Sequence, residues 1–191
     1  MYNIKMEDER IIVRSAEPAD LTYVQQIIQE TESSAIARGS GISKRSAESI
    51  IEKIDSGNAV IATTATGKWV GFSYIQTWDN EKFVSNSGLI VSPEYRNLGV
   101  AAQIKDQIFS LSRCRYPQAK IFSITSGLAI MKLNSRLGFQ PVTYSEITQE
   151  TNFWEGCKSC VNYNVLQSKN KCNCLCTAML FDPQLNLPLA C

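Results

Sequence analysis

The residues best suited to chemistry run from Gly88 to Ala102 (G-L-I-V-S-P-E-Y-R-N-L-G-V-A-A), where a β-branched run ends, turns and opens a helix. Gly99 stands at that opening, where backbone must come close to something. A glycine-bearing turn at a helix N-terminus leaves amides unpaired at the positive end of the helix dipole, which suits a pyrophosphate. For an isolated glycine, simple relief of a strand-to-helix turn is the better reading, so the chemistry rests on the whole stretch.

Cysteines form the second concentration. Of seven, only Cys114 precedes residue 157; C-K-S-C follows at Cys157 to Cys160, C-N-C-L-C at Cys172 to Cys176, and Cys191 ends the chain. A C-x-x-C followed by C-x-C can fold around one tetrahedral zinc, with Cys157, Cys160, Cys174 and Cys176 as its ligands. Reduced thiols packed as small hydrophobes, or a redox pair, compete with that reading, and stable disulfides are disfavoured in a cytosolic chain. The chain has no histidine. That removes Ser-His-Asp and Cys-His nucleophiles and every His-ligated metal site.

The elements that must position these residues follow from periodicity and turn chemistry. Arg10 to Ser15 reads as a strand, and Asp20 to Glu32 as a helix with Leu21, Val24, Ile27 and Ile28 on one face. Ala35 to Ser46, with two glycines and the cations Arg38, Lys44 and Arg45, reads as a loop. Ser46 then caps a second helix that closes near Gly57. Asn58 to Thr64, Lys68 to Trp78 and Phe83 to Val91 form an antiparallel meander turning at Thr66-Gly67 and Asp79-Asn80. A helix from about Gly99 to Arg113, a strand (Lys120 to Thr125), a helix (Leu128 to Leu137) and a strand (Phe139 to Ile147) follow. The expected order is βααβββαβαβ: one α/β core over 1–150, with a Cys-rich C-terminal extension, 151–191, packed on it.

Composition narrows the partners. A 191-residue chain that is 44% hydrophobic can build one core. Lys plus Arg (19) nearly cancels Asp plus Glu (18), so nucleic acid is not an expected partner. No apolar run approaches the roughly 20 residues that cross a bilayer, and the charged N-terminus is unlike a signal peptide. A cytoplasmic protein is expected, with homodimerisation left open.

The stretch before the third helix resembles motif A of the GNAT N-acetyltransferase superfamily: Arg or Gln, two residues, Gly, one residue, then Gly or Ala. Arg96, Gly99 and Ala101 occupy those positions, behind a lead-in of Val91-Ser92-Pro93-Glu94-Tyr95. The element order over about residues 10 to 147 is also that of the superfamily, a mixed, mainly antiparallel sheet flanked by helices. The resemblance implies acyl-CoA as co-substrate, with Leu89, Ile90 and Val91 pairing with the pantetheine arm. It implies that the amides of Arg96, Asn97, Leu98, Gly99, Val100, Ala101 and Ala102 hold the pyrophosphate. Ala129 and Leu133 to Phe139 resemble a second motif that usually carries tyrosine where this chain has Asn134; that tyrosine commonly protonates the departing thiolate. Asn134 has no usable acid, and Tyr144 is an alternative, or else an ordinary strand aromatic. The loop between the first two helices lines the acceptor side, so Arg38, Lys44 or Arg45 would bind an acceptor carboxylate, unless they are solvated charges.

The whole chain is also similar to bacterial GNAT proteins linked to arginine biosynthesis, which implies a small-molecule amine acceptor such as glutamate, acylated with acetyl or succinyl. A non-catalytic acyl-CoA sensor is the rival reading.

Overall fold

The structure is a computed structural model that describes residues 10–39 and 43–185, except for the side chain of Arg38. Its strands are β1 (Ile11–Ser15), β2 (Ala59–Thr64), β3 (Trp69–Trp78), β4 (Phe83–Val91), β5 (Lys120–Thr125), β6 (Gln140–Val142) and β7 (Thr177–Phe181). Its helices are α1 (Val24–Arg38), α2 (Ala47–Asp55), α3 (Val100–Arg115), α4 (Leu128–Arg136), α5 (Thr151–Glu155) and α6 (Tyr163–Ser168). The strands make one seven-stranded sheet in the order β1-β2-β3-β4-β5-β7-β6. Only β4 and β5 pair in parallel; every other neighbour is antiparallel. No helix among the described residues is long and apolar enough to cross a membrane.

The expected meander forms on the expected turns. Gly67 adopts φ 84° between β2 and β3, and Asp79 and Asn80, at φ 52° and 53°, turn β3 into β4. Ser46 caps α2, its side chain accepting from the Ser49 amide at 3.2 Å.

Three expectations are corrected. The first helix does not end at Glu32: α1 continues to Arg38, because Thr31 and Ser34 extend the buried stripe of Val24 and Ile27 at helical spacing. Arg38 therefore closes a helix instead of lying in a loop, and its side chain is outside the described residues. The strand expected from Phe139 to Ile147 is only Gln140–Val142, after which Tyr144–Glu146 turns as a 3-10 helix closed by Thr143 and Glu146 as a capping box. Finally, the segment from 151 on does not lie outside the sheet. Its β7 inserts between β5 and β6 in register with both, Phe122 facing Leu180 and Pro141 facing Met179. The cysteines from 157 to 176 therefore belong to a connection between the last two strands; Cys191 lies outside the described residues.

Each face of the sheet carries its own core. On one, Val100, Ile104, Ile108 and Phe109 of α3 pack on Val60, Val70, Ile75, Val84, Ile121, Phe139, Met179 and Phe181. On the other, Val24, Ile27, Ile50 and Ile54 of α1 and α2 cover Ile61, Trp69, Phe72, Tyr74 and Ile90. Beyond β4 that second face is covered by Tyr144, Ile147, Trp154 and Leu166 on Phe122, Ala178 and Leu180. The boundary between the two halves of the second face is the β4/β5 junction, where the site lies.

Candidate functional site

The parallel pairing of β4 with β5 lasts three residues, Phe83 with Lys120 through Ser85 with Phe122, and then stops. From Asn86 to Val91 the strand keeps β3 as a neighbour on one side only. Between the pairs Tyr74/Ser87 and Phe72/Ile90, β4 has two residues and β3 one, so Gly88 and Leu89 form a β-bulge opposite Ser73. Gly88 is at φ 66°, and a Cβ there would lie 2.4 Å from Tyr74 Cε1. Only glycine lets the bulge close over that ring. The Ser92 amide donates to Val70 O on the β3 side. By two-residue alternation the amide and carbonyl of Val91 face the open fork.

The fork ends in the turn that Gly99 makes. Asn97 and Gly99 both hold positive φ, 65° and 79°, and α3 starts directly after. The amides of Asn97, Leu98, Gly99, Val100 and Ala101 have no partner among the described residues. Two expected members drop out: Arg96 donates its amide to Pro93 O and Ala102 to Gly99 O. Nothing lies within 4 Å of where a Gly99 Cβ would be, so this cradle opens outward. The Arg96 side chain shapes it. Its Nε donates to Val91 O at 3.0 Å, and Nη2 donates to Glu30 Oε1 at 2.7 Å and Ser34 Oγ at 2.6 Å, tying the turn to α1.

Of the cations expected to face an acceptor, Arg45 is turned to the bulge, and the side chain of Arg38 lies outside the described residues. Its Cζ lies 5.8 Å from the centroid of the Tyr74 ring that Gly88 covers. Nη1 donates to the carbonyls of Ser43 at 2.9 Å and Lys44 at 3.2 Å, whereas Nε is buried without a partner. No carboxylate pairs with Arg45 among the described residues. Lys44 has an exposed side chain, while its amide donates to Ser159 Oγ at 3.0 Å. The cysteine-bearing connection thus touches the segment that carries Lys44 and Arg45.

Neither of the two candidate catalytic residues offers a free proton. Asn134 is completely buried, with Nδ2 3.6 Å from Met179 Sδ and Oδ1 unpartnered. Tyr144 lies outside any strand; its hydroxyl is 2.8 Å from Cys174 Sγ and donates to Cys176 O at 2.9 Å. Burial, with the Cys174 contact, pushes that phenol far above its usual range. Its proton is engaged with the cysteines, not free for a thiolate.

The cysteines are near one another without forming a metal site. Hydrogen bonds from the Cys176 side chain and amide hold the Cys174 thiol below its usual range against the effect of burial. Burial, with Cys160 and Cys174 nearby, raises Cys157 to about 11. No group of three or more His, Cys, Asp or Glu among the described residues is placed to hold an ion. The donors already on Cys174 occupy directions a metal would need, so the expected zinc set does not fit this arrangement.

One residue on the far face of the fork carries no motif. Lys105, on α3, is 2% exposed beside Asn86 of β4. Its position in the helical stripe next to Ile104 could have shown its burial; its neighbours could not be read from the sequence.

No protein-family model and no curated protein matches the chain. Solved structures do. N-acetylglutamate synthase from Neisseria gonorrhoeae, complexed with coenzyme A and N-acetyl-glutamate, aligns over 91% of this chain at 17% identity and a TM-score of 0.62. The chain spans about a third of that protein, 35%. Diaminobutyrate acetyltransferase from Paenibacillus lautus, in complex with L-2,4-diaminobutyric acid and coenzyme A, aligns over 93% of this chain and 98% of its own, at 14% identity and a TM-score of 0.61. A GNAT-family acetyltransferase from Listeria monocytogenes aligns over 90% and 94%, at 14% identity and a TM-score of 0.60. At these identities the likeness speaks for the fold, and with the β4/β5 fork, the bulge and the amide cradle it establishes that this chain has the GNAT fold.

Proposed function

We propose that the protein is an acyl-CoA-dependent N-acyltransferase that moves an acetyl or succinyl group to the primary amine of a small, carboxylate-bearing acceptor, with the α-amine of glutamate as the first candidate. The observation that carries this reading is the fork itself: a strand edge left open after Ser85 that leads to five unpaired amides at a helix start. Those amides and the helix dipole suit a pyrophosphate. The open edge of Val91 and its neighbours suits the amide-bearing pantetheine arm. Followed back along β4 from the amide cradle, such an arm runs into the fork toward its apex at Asn86, just beyond the last β4/β5 pair at Ser85.

On the acceptor side the Arg45 guanidinium, which has no carboxylate partner among the described residues, supports a carboxylate-bearing amine. Direct attack needs orientation, a neutral amine and a proton for the leaving thiolate, but no covalent enzyme intermediate. The N-acetylglutamate synthase and diaminobutyrate acetyltransferase of similar fold support an amino-acid acceptor as the class to test. A thiol-release assay with acetyl-CoA and succinyl-CoA against a panel of free amino acids is the test. Turnover with an acidic amino acid is expected; tight acyl-CoA binding without turnover on any amine would instead make the protein a sensor.

A further inference from the structure

The α3 face of the fork carries a polar chain inside an otherwise apolar core. Lys105 Nζ reaches one hydrogen-bond acceptor, Asn86 Oδ1, at 3.2 Å, and lies 5.0 Å from the Phe139 ring centroid. Asn86 Nδ2 donates to Ser112 Oγ at 2.7 Å, and Ser112 donates to Ile108 O at 2.8 Å. With its NH2 group committed to Ser112, the Asn86 amide is fixed with its oxygen toward the amine. Asn134 adds an unpartnered, fully buried Oδ1 on the same face, against Met179.

No charge among the described residues pairs with the lysine. Asp106, its neighbour on α3, pairs with Arg136 at the surface. Arg113, two turns on, donates to Pro117 O and lies over Phe181. Burial without a counter-charge lowers the Lys105 amine to about 7. A lysine in this state is costly to folding and suited to proton transfer.

Asn86 is the first β4 residue beyond the last pair with β5. Asn86 therefore stands at the apex of the fork, the end toward which the acyl-CoA reading runs the pantetheine arm, and it joins the lysine to that apex on the face opposite Arg45 and Tyr74.

We propose that Lys105 is the acid that protonates the thiolate of coenzyme A as it leaves, oriented by Asn86 and Ser112; this rests on the acyl-CoA reading above. When the tetrahedral intermediate collapses, the C–S bond breaks and its electron pair goes to sulfur. The proton passes from the Lys105 ammonium to that sulfur, giving the free thiol and a neutral amine. The proton shed by the new amide nitrogen goes to solvent, and once the thiol has left, water entering the vacated fork returns one to Lys105, so the cycle closes with no redox change. A thiol ordinarily near 8.5 takes a proton downhill from such an amine.

Two measurements on the full chain test it. In steady-state acyl transfer, Lys105→Met is expected to lower kcat on the order of a hundredfold or more while KM for acyl-CoA stays within about twofold and the alkaline fall of the kcat profile disappears. By NMR of wild-type protein labelled at the lysine side chains, coenzyme A should shift the Lys105 titration and desulfo-coenzyme A should not; this arm holds even if the variant fails to fold. A variant with kcat and pH profile close to wild type, or identical Lys105 titrations with the two ligands, overturns the proposal. If calorimetry shows coenzyme A bound normally in either case, the acyl-CoA reading survives that failure. Wild-type protein that binds no coenzyme A overturns both.

Discussion

Arg45 and Gly99 mark the two ends of the proposed site, and each makes a prediction of its own. A half-buried guanidinium whose Nε finds no acceptor is short of a partner, and a bidentate carboxylate is the group that matches it. Replacing Arg45 with alanine should raise KM for glutamate roughly tenfold or more, in line with the 1.5–3 kcal/mol of a charged hydrogen bond. It should leave KM for acyl-CoA nearly unchanged and affect glutamine less. Equal losses for glutamate and glutamine in steady-state kinetics would return Arg45 to the class of surface charges. At the other end, Gly99 holds φ 79° over open space, so Gly99→Ala meets no protein atom but takes on a left-handed backbone. A stability loss of about 1 to 2 kcal/mol is expected, with acyl-CoA binding weakened at least tenfold in calorimetric titration; unchanged affinity in a folded variant would sink the amide cradle. The positions of both were legible in the sequence, Gly99 at the opening of α3 and Arg45 just before the Ser46 cap of α2, and their roles are what these two measurements decide. Arg38 was misplaced because Thr31 and Ser34, polar by type, are buried by position and carry α1 onward to Arg38.

At the level of elements, the meander was readable because its turns are local. Thr66-Gly67 and Asp79-Asn80 announce themselves within two residues. Strand β7 was not, because its partners β5 and β6 are set by contacts between segments distant in sequence, and its five residues stand beside C-N-C-L-C, which drew the eye to thiols. Yet Met179 and Phe181 belong to the same core as Phe109 and Phe139, with Phe181 edge-on to Phe109 at 4.9 Å between centroids. A chain ending before Thr177 should therefore leave Ile121 to Thr125 unpaired on one side and expose that aromatic cluster. The expected result is loss of cooperative thermal unfolding and of solubility. A truncated chain that still melts cooperatively would restore the cysteine-rich segment as a true appendage. The connection that leads into β7 also touches the segment carrying Arg45, where Ser159 accepts from the Lys44 amide.

On the scale of the whole molecule, the sheet is a partition with different chemistry on each side. Arg45 and Tyr74 lie on the face covered by α1 and α2; Lys105, Asn86 and Asn134 lie on the face covered by α3 and α4. Of these five, Asn134 and Arg45 could be named from sequence, while the Lys105–Asn86 contact joins residues from a strand and a helix that only the folded sheet brings together. The buried amine predicts a pH dependence with a definite sign. Its pKa is lowered from 10.5 to about 7 in the folded chain by burial, so between those values the unfolded chain binds the proton and the folded chain does not. Stability from this group therefore rises with pH across that window, and the full penalty applies below about 7. At about 1.4 kcal/mol per pH unit, the gain between pH 7 and pH 9 is on the order of 2 to 3 kcal/mol. Lys105→Met removes the term, so the variant should exceed wild type in urea-unfolding free energy most at pH 6 to 7. That advantage should narrow by about the same 2 to 3 kcal/mol at pH 9. Comparing the two proteins at each pH cancels the tyrosines and cysteines that titrate in both. A gap that stays constant from pH 6 to pH 9 would mean that Lys105 keeps an ordinary amine in the folded chain, and that solvent or a counter-charge reaches it under the sheet.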